Sequence, residues 1–484
     1  MSRGKFALIE IGGENTGMAL TREKLTAAVE GAALLPLLWG VGAVLHAPAA
    51  GKAVGIVASG LYLMTKGVLG FGVSGAYICL LGILTGLLTV GDLGTGSLFF
   101  QFVGLCMIGY GAEATPFGQR LAYAILRRVG DHPRKIVAAF LLVSSFLSSF
   151  LSNTATMILM ASLCHNVLRQ MDQTPGKSRF GAACMMACAI GPNIGCIGFI
   201  QGSIGINLYS VDQIAAVTRG HFTVTPGQWA SVGWIALALL LPAAYFILIK
   251  TMAFDAGEVR LLGREFYGEK LRELGPMQGS EIRWVIYVTT LIALMVAGVN
   301  VVKLMLIYIV LATLPGIGFM DTKTAFQKAV PWETVFCSIT LSMIGVIFAN
   351  AGLTELISEA FRPVLSGTSP LLIMVLLSLF IGVLSMYVIG TTFANIAIGI
   401  TMTAPLIEAL GINPSVALLP VIFSINYMMG IFAMPIMMLN YRYGYWEKGA
   451  LTRTGTLIML SAVVINCLVC YFLAPILWGV PLYI

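Results

Sequence analysis

Ser152, Asn153 and Thr154 form a small polar knot inside an otherwise apolar run from Ile136 to Leu163. Hydrocarbon offers no replacement hydrogen bonds, so polar groups placed at that depth are expensive and point to a site. Ser, Asn and Thr bring neutral oxygens that can take over the hydration shell of a small cation. They also bring amide and hydroxyl donors that can bind an anion. The chemistry is reversible binding, since no catalytic base accompanies them. Of the four histidines, His46, His132, His165 and His221 all fall in loops or near the ends of apolar runs.

A second interruption lies at Ile389-Gly390-Thr391-Thr392-Phe393-Ala394-Asn395-Ile396, within the apolar block 369–410. Superposed on the first knot, Asn395 matches Asn153, while Ala394 and Ile396 stand where the first has Ser152 and Thr154. Each interruption is followed by an apolar run broken by Gly and Pro, Ile190–Gly198 and Asn426–Pro435. Such breaks release backbone carbonyls to a cation and helix N-termini to an anion. The sequence therefore predicts that both runs unwind there.

Elements long enough to carry these knots to mid-membrane are abundant. The 484 residues are 58% hydrophobic and 10% charged, with a mean hydropathy of +0.92. Soluble domains carry about 25% charged residues, which excludes an ordinary soluble enzyme. Spans are expected near 26–46, 53–65, 68–91, 97–113, 182–206, 229–251, 284–300, 302–319, 332–350, 415–438 and 455–478. The interrupted blocks 137–164 and 369–410 read as re-entrant hairpins, because broken helix at membrane depth survives only under protein or a wet cavity. The fold class expected is an all-α polytopic membrane protein with about eleven transmembrane helices, an inverted repeat carrying two re-entrant helical hairpins.

Charge orients these elements. Met1 to Lys24 is charged and lacks the apolar core of a signal peptide, so residues 1–25 are expected to remain as a cytoplasmic N-terminal segment. Most of the 28 Lys and Arg residues then fall in cytoplasmic loops, with Lys52, Arg219, Lys303 and Arg362 as external exceptions. The C-terminus is expected outside, and the plasma (inner) membrane is the expected location. A first half, 26–253, is joined to a second, 284–484, by a cytoplasmic linker helix in 254–283, where Glu258, Arg260, Arg264, Glu265, Lys270 and Glu273 cluster. The net charge of +7 is spread over loops rather than gathered in an arm, so it reads as orientation and not as nucleic-acid binding. The nine cysteines sit mostly in apolar blocks and are expected as free thiols. Cys467 and Cys470 have metal-ligand spacing but no partner pair. Glu30, in the first span, reads as a paired or snorkelling residue in preference to a proton relay.

Further stretches carry a family resemblance: Ala114-Thr115-Pro116-Phe117-Gly118-Gln119-Arg120, Arg127-Arg128-Val129-Gly130, Pro133-Arg134-Lys135, the Ser-Asn-Thr-Ala-Thr motif at 152–156, Leu274-Gly275-Pro276-Met277, Pro331-Trp332-Glu333 and Asn350-Ala351-Gly352-Leu353. In this order they resemble the divalent anion/sodium symporters, carriers of dicarboxylates, citrate or sulfate, over most of the chain. The resemblance implies a homodimer, each subunit having a scaffold and a mobile transport part in an elevator-like cycle, with sodium as the coupling ion and no other cofactor. It implies a first sodium site at Ser148, Ser152 and Asn153 with backbone at Gly198. Ser152, Asn153 and Thr154 would face the substrate, and Asn395 would contribute to both sites from the other side. The family repeats Ser-Asn-Thr at the second tip, where this chain has Ala394 and Ile396. Thr391 or Thr392 with backbone carbonyls would then stand in, and Pro435 alone remains of the second Thr-Pro-Pro-Asn signature.

The function expected is sodium-coupled symport of a small di- or trivalent anion, with lipid, sodium and substrate as partners. With few basic residues near either tip, bound cations and helix ends would meet the anion's charge. The alternative is an anion exchanger or proton-coupled carrier of the same architecture, motivated by the hydroxyls missing at 394 and 396. A sodium/proton or arsenite-type carrier and an intramembrane enzyme rank behind these, the last for want of any catalytic constellation.

Overall fold

Helices in this chain begin where the sequence can cap them. Pro133, Pro226 and Pro370 occupy first-turn positions where a missing N–H costs nothing. Ser152, Ser178, Thr225, Asn300 and Ser369 each accept a hydrogen bond from the backbone N–H three residues on. The structure, a computed structural model, describes residues 22–94, 96–218, 220–255, 257, 259–365, 367–388, 395–396, 399–400, 403–427, 429, 437 and 440–484. Among these the chain is helical and contains no strand, with one isolated bridge between Ile412 and Tyr483.

In order, the helices are α1 Arg22–Val44, α2 Pro48–Thr65, α3 Phe71–Leu84, α4 Gly96–Glu113, α5 Phe117–Val129, α6 Pro133–Phe150, α7 Asn153–Gln170, α8 Arg179–Gly195, α9 Tyr209–Val217, α10 Pro226–Met252, α11 Gly263–Glu273, α12 Gly279–Val296 and α13 Val301–Thr313. Beyond them lie Trp332–Leu341, Met343–Asn350, Leu353–Leu365, Pro370–Val383, Ala404–Ala409, Pro414–Ala417, Leu419–Ile425 and Lys448–Trp478. Among the described residues seven helices are long and apolar enough to cross a bilayer, and shorter apolar helices lie at Gly72–Leu84, Val301–Thr313 and Pro414–Ile425. Leu37, Phe246, Ile286, Phe380 and Phe472 are large apolar side chains turned outward, as a surface solvated by lipid requires.

Ion pairs at its two ends define the first hairpin. Arg264 donates to Asp131, just before α6, at 2.8 Å, and Arg260, four residues earlier in the same segment, pairs with Asp172, just after α7. Both ends of α6–α7 therefore lie on one face, and the chain reverses at Leu151–Ser152. In the second block, Leu353–Leu365 leads into Pro370–Val383 and packs against the returning helix Ala404–Ala409. Those ends neighbour the other face: Asn413 bonds to Pro481 O and Ser415 to Thr223 O. Between Thr223 and Arg260 runs α10, whose 27 residues span about 40 Å. The two hairpins thus enter from opposite faces, the arrangement of an inverted repeat.

The protein holds the elements around the first hairpin with one buried ion pair. Arg120, on α5, donates from Nε to Glu281 of α12 at 3.0 Å and from Nη1 to Gly275 O at 2.7 Å. Glu281 is fully buried. Two stretches quoted above for the family resemblance, around Arg120 and at 274–277, are thereby clamped together. Trp284 adds a bond from its indole to Ile108 O at 2.8 Å, tying α12 to α4.

Several expected spans appear as helices with shifted limits, and seven helices among the described residues are long enough to cross a bilayer. The helix within 68–91 covers only Phe71–Leu84, and that within 254–283 covers Gly263–Glu273. The first hairpin is longer than 137–164, because α6 and α7 extend from Pro133 to Gln170. The larger difference concerns α8. It does not unwind at Gly191-Pro192 but continues to Gly195, then turns through a 3-10 stretch, Ile200–Ser203, and a π-helical stretch, Ile204–Leu208, into α9. Pro192 is tolerated because every residue from Phe180 to Gly195 is buried, so packing holds the helix. The Asn193 side chain also bonds Ala189 O at 3.0 Å.

Candidate functional site

The last turns of α6 present Ser144, Ser145, Ser148 and Ser149, all fully buried. They face α8, where a Cβ on Gly195 would stand 2.1 Å from Ser145 O, so only glycine permits this approach. Close backbones bring the serine hydroxyls onto α8 carbonyls. Ser148 Oγ lies 2.8 Å from Pro192 O, and Ser149 Oγ lies 2.8 Å from Gly195 O.

Ser148 Oγ also lies 3.0 Å from Asn153 Oδ1, across the break at Leu151–Ser152. A hydroxyl has one proton, so it can donate to Pro192 O or to Asn153 Oδ1 but not to both at once. Three oxygens thus converge with a single hydrogen among them. The C-terminal ends of α6 and α8 stop here as well, and carbonyl ends carry partial negative charge. This is an environment for a small cation. On the other side of the break α7 starts at Asn153. Its N-terminal end, half-buried at Asn153, Thr154 and Ala155, carries partial positive charge, which makes that side suited to an anion. No Lys or Arg occurs in 145–160 or 190–207.

Of the residues singled out from the sequence, Ser148 and Asn153 are in direct contact. Ser152 caps α7, its Oγ accepting from Ala155 N at 3.2 Å. Gly198 is buried over Ser149, where a Cβ would meet Ser149 Oγ at 2.7 Å. Thr154 is half-buried on the first turn of α7. Asn395 is fully buried in the helical pair 395–396. Thr391, Thr392, Ala394 and Pro435 lie outside the described residues.

Sequence reasoning missed a second polar layer. Asn207 donates to Cys196 O at 2.9 Å, Asn426 donates to Asn207 Oδ1 at 3.0 Å, and the Cys196 thiol donates to Asn426 Oδ1 at 3.2 Å. This ring joins the broken spans of the two halves just beyond Gly195. Ser145 and Ser149 escape sequence reasoning as well. The hydroxyls of Ser145 and Thr156 are buried without a hydrogen-bond partner among the described residues. The available signal was position: each is a polar residue inside a long apolar run. All nine cysteines are free, and no cluster of metal-ligating side chains occurs among the described residues.

An aromatic wall of Phe146, Phe150, Phe199 and Trp234, with ring centroids 5.0 to 6.2 Å apart, backs the tip. It borders an apolar cavity of 340 Å³ that reaches Trp284 and Phe117.

The profile of a family described as the sodium:sulfate symporter transmembrane region matches residues 37–483. The chain is 23% identical over 416 residues to the sodium-dependent dicarboxylate transporter SdcS of Staphylococcus saprophyticus, covering 79% of this chain and 78% of that protein. It is 27% identical over 199 residues to the sodium-dependent high-affinity dicarboxylate transporter 3 of Caenorhabditis elegans, covering 38% of this chain and 34% of that one. Among solved structures, Neisseria gonorrhoeae MtrF, described as illuminating a class of antimetabolite efflux pumps, aligns with a TM-score of 0.57 and 13% identity. That alignment spans 80% of this chain and 84% of MtrF. The Alcanivorax borkumensis YdaH transporter aligns with a TM-score of 0.51 and 14% identity over 96% of this chain and all of that one. At such identities these two structures speak for the fold alone.

Proposed function

The chain belongs to the sodium:sulfate symporter family, and from that premise we propose that it carries a small di- or trivalent anion, a C4-dicarboxylate, citrate or sulfate, together with sodium. It is a multi-pass membrane transporter and not an enzyme. The observation that carries the reading is the meeting of Ser148 Oγ, Asn153 Oδ1 and Pro192 O, three oxygens sharing one proton between two carbonyl-terminated helix ends. Sodium bound there neutralises the carbonyl ends and orders the tip. The anion then binds on the α7 side, and each ligand raises the affinity for the other. Ser152, Thr154 and the Gly198 backbone complete this site, and Asn395 with Thr391, Thr392 and Pro435 serves it from the second half.

The cycle in this reading is an elevator, the two hairpins with α8 and α10 moving as the transport part against a scaffold of the other helices in a homodimer. In this reading the N-terminus and the linker 254–283, between halves 26–253 and 284–484, are cytoplasmic and the C-terminus is outside, which the bias of Lys and Arg towards those loops supports. Proteoliposomes with an imposed sodium gradient test the reading. Succinate, citrate or sulfate should accumulate only when sodium is present, and Asn153→Ala should abolish accumulation. Equal uptake when choline replaces sodium would remove sodium coupling.

A second reading, anion exchange, rests on Ala394 and Ile396, which replace hydroxyl residues at the second tip. Uptake driven by internal substrate without sodium would favour it.

A further inference from the structure

On the face where the second hairpin's ends lie, a cavity of 320 Å³ opens between α4, α9, the start of α10 and the α12–α13 connection. Its walls are mostly apolar, with Gln101, Asp212, Thr223, Thr225 and Asn300 as the polar exceptions. Asp212, half-buried in the first turn of α9, lines this cavity and makes no ion pair and no hydrogen bond among the described residues. A carboxylate without a partner in a mostly apolar cavity is costly to enclose, and in membrane proteins such residues mark ion or proton routes.

Two features choose between a proton and a metal cation. The neutral side-chain oxygens of Thr225 and Asn300 already accept from Gln228 N and Lys303 N as helix caps. Beside Asp212 the side-chain oxygens of Gln101 and Thr223 remain, and no second carboxylate joins them among the described residues, which favours a proton over a metal cation. Among the described residues no other titratable side chain lines the cavity. Within α9, the Tyr209 hydroxyl is spent on Leu341 O. Lys303 on α13 is exposed, and exposed His221 faces Glu408 at 4.0 Å. Arg219 is not among the described residues.

Asp212 also has a mechanical connection to the site. The π-helical stretch Ile204–Leu208 runs without a break into α9, so Asn207, in the polar ring beside the tip, and Asp212 ride on one helical segment. We propose that Asp212 is a proton-accepting carboxylate, neutralised from the face on which the cavity opens, that lets α9 close against α4 and α13 and so sets the transport rate by the pH of that face. The proposal rests on the transport function above. When the cavity closes, a charged Asp212 must enter apolar surroundings unpaired, and a protonated one escapes that penalty.

The test is sulfate uptake into proteoliposomes with pH set separately on each face, because sulfate keeps its charge across the range. The wild type should speed up several-fold as that face is acidified across about pH 8 to 4. Asp212→Asn should be fast and independent of pH on that face, and Asp212→Glu should restore a dependence. An infrared titration of the purified protein, with no transport required, should show a protonated-carboxyl band that Asp212→Asn lacks. An unchanged pH profile in Asp212→Asn overturns the proposal. So does a variant that shifts only the sodium requirement, which would make Asp212 a metal ligand. Absence of sulfate uptake by the wild type would count against sulfate as the substrate, and the infrared band would still decide Asp212: a band unchanged in Asp212→Asn overturns the proposal.

Discussion

Ser148 and Asn153 belong to different limbs of one hairpin, yet their side-chain oxygens lie 3.0 Å apart across the break between α6 and α7. A cation on this pair ties the carbonyl end of α6 to the amide end of α7. Removing either oxygen should therefore weaken sodium before it weakens the anion. Ser148→Ala is expected to raise the sodium concentration for half-maximal uptake about tenfold, about 1.4 kcal/mol, and Asn153→Ala to raise it beyond measurement. Ser149→Ala is the control: its hydroxyl bonds Gly195 O on the far side of the turn, and its effect should be smaller. Sodium titrations of initial uptake rates check all three, and equal effects from Ser148 and Ser149 would place the cation elsewhere.

Gly195 sets the spacing on which this contact depends. With a Cβ 2.1 Å from Ser145 O and 2.5 Å from Ser145 Cα, alanine cannot be accommodated unless α6 and α8 separate. Overpacking of this kind costs about 1–3 kcal/mol. Gly195→Ala is expected to lower the thermal midpoint in detergent and, by moving Pro192 O from Ser148, to impair sodium stabilisation of the protein. Gly298→Ala, where nothing lies within 4 Å but φ is +82°, should cost only backbone strain and leave sodium stabilisation intact. Sodium-dependent melting curves separate the two.

The polar knot at 152–154 was legible because its surroundings are so apolar, and the reversal at Leu151–Ser152 follows from it. The opposed entry of the hairpins was legible through charge: Arg260 and Arg264, read as linker residues, are the ones that hold Asp172 and Asp131. What stayed hidden depends on pairs distant in sequence. Asn207 and Asn426 each look like an isolated turn former, and only folding makes them partners. Local propensity makes Pro192 a breaker, whereas burial along the whole of α8 overrides that preference. The role of Arg120 was hidden for the same reason, since its partners lie more than 150 positions away.

Arg120 and Glu281 form a pair in which one member has no access to solvent. Removing the arginine leaves a buried carboxylate unpaired, which costs about 3–5 kcal/mol. Arg120→Met is expected to destabilise strongly, and Arg120→Met with Glu281→Gln to recover part of the loss, because the charge to be compensated is gone. The sodium requirement of protein that survives purification should be unchanged, since neither residue touches the tip. Thermal unfolding of the single and double variants measures the coupling, and additive losses would show that the pair is not the source of the effect.

The ends of the first hairpin offer a pH-dependent handle. The hydrogen bond from Arg264, reinforced by Lys135, holds the Asp131 carboxyl below the usual carboxylate range. A depressed folded value means that the tie contributes above the unfolded value of about 3.9 and is lost as pH falls through the folded one. Between neutral pH and about 5, exchange of the hydrogen-bonded amides 267–273 of α11 should then be flat, once corrected for intrinsic rates, and should rise only below about 4. Asp131→Asn should exchange fast at every pH and show no acid step. High salt should mimic the variant, because both partners are exposed and screening reaches them. A loss of protection already between pH 7 and 5 would assign the step to another group, because a carboxylate held low by an arginine cannot titrate there.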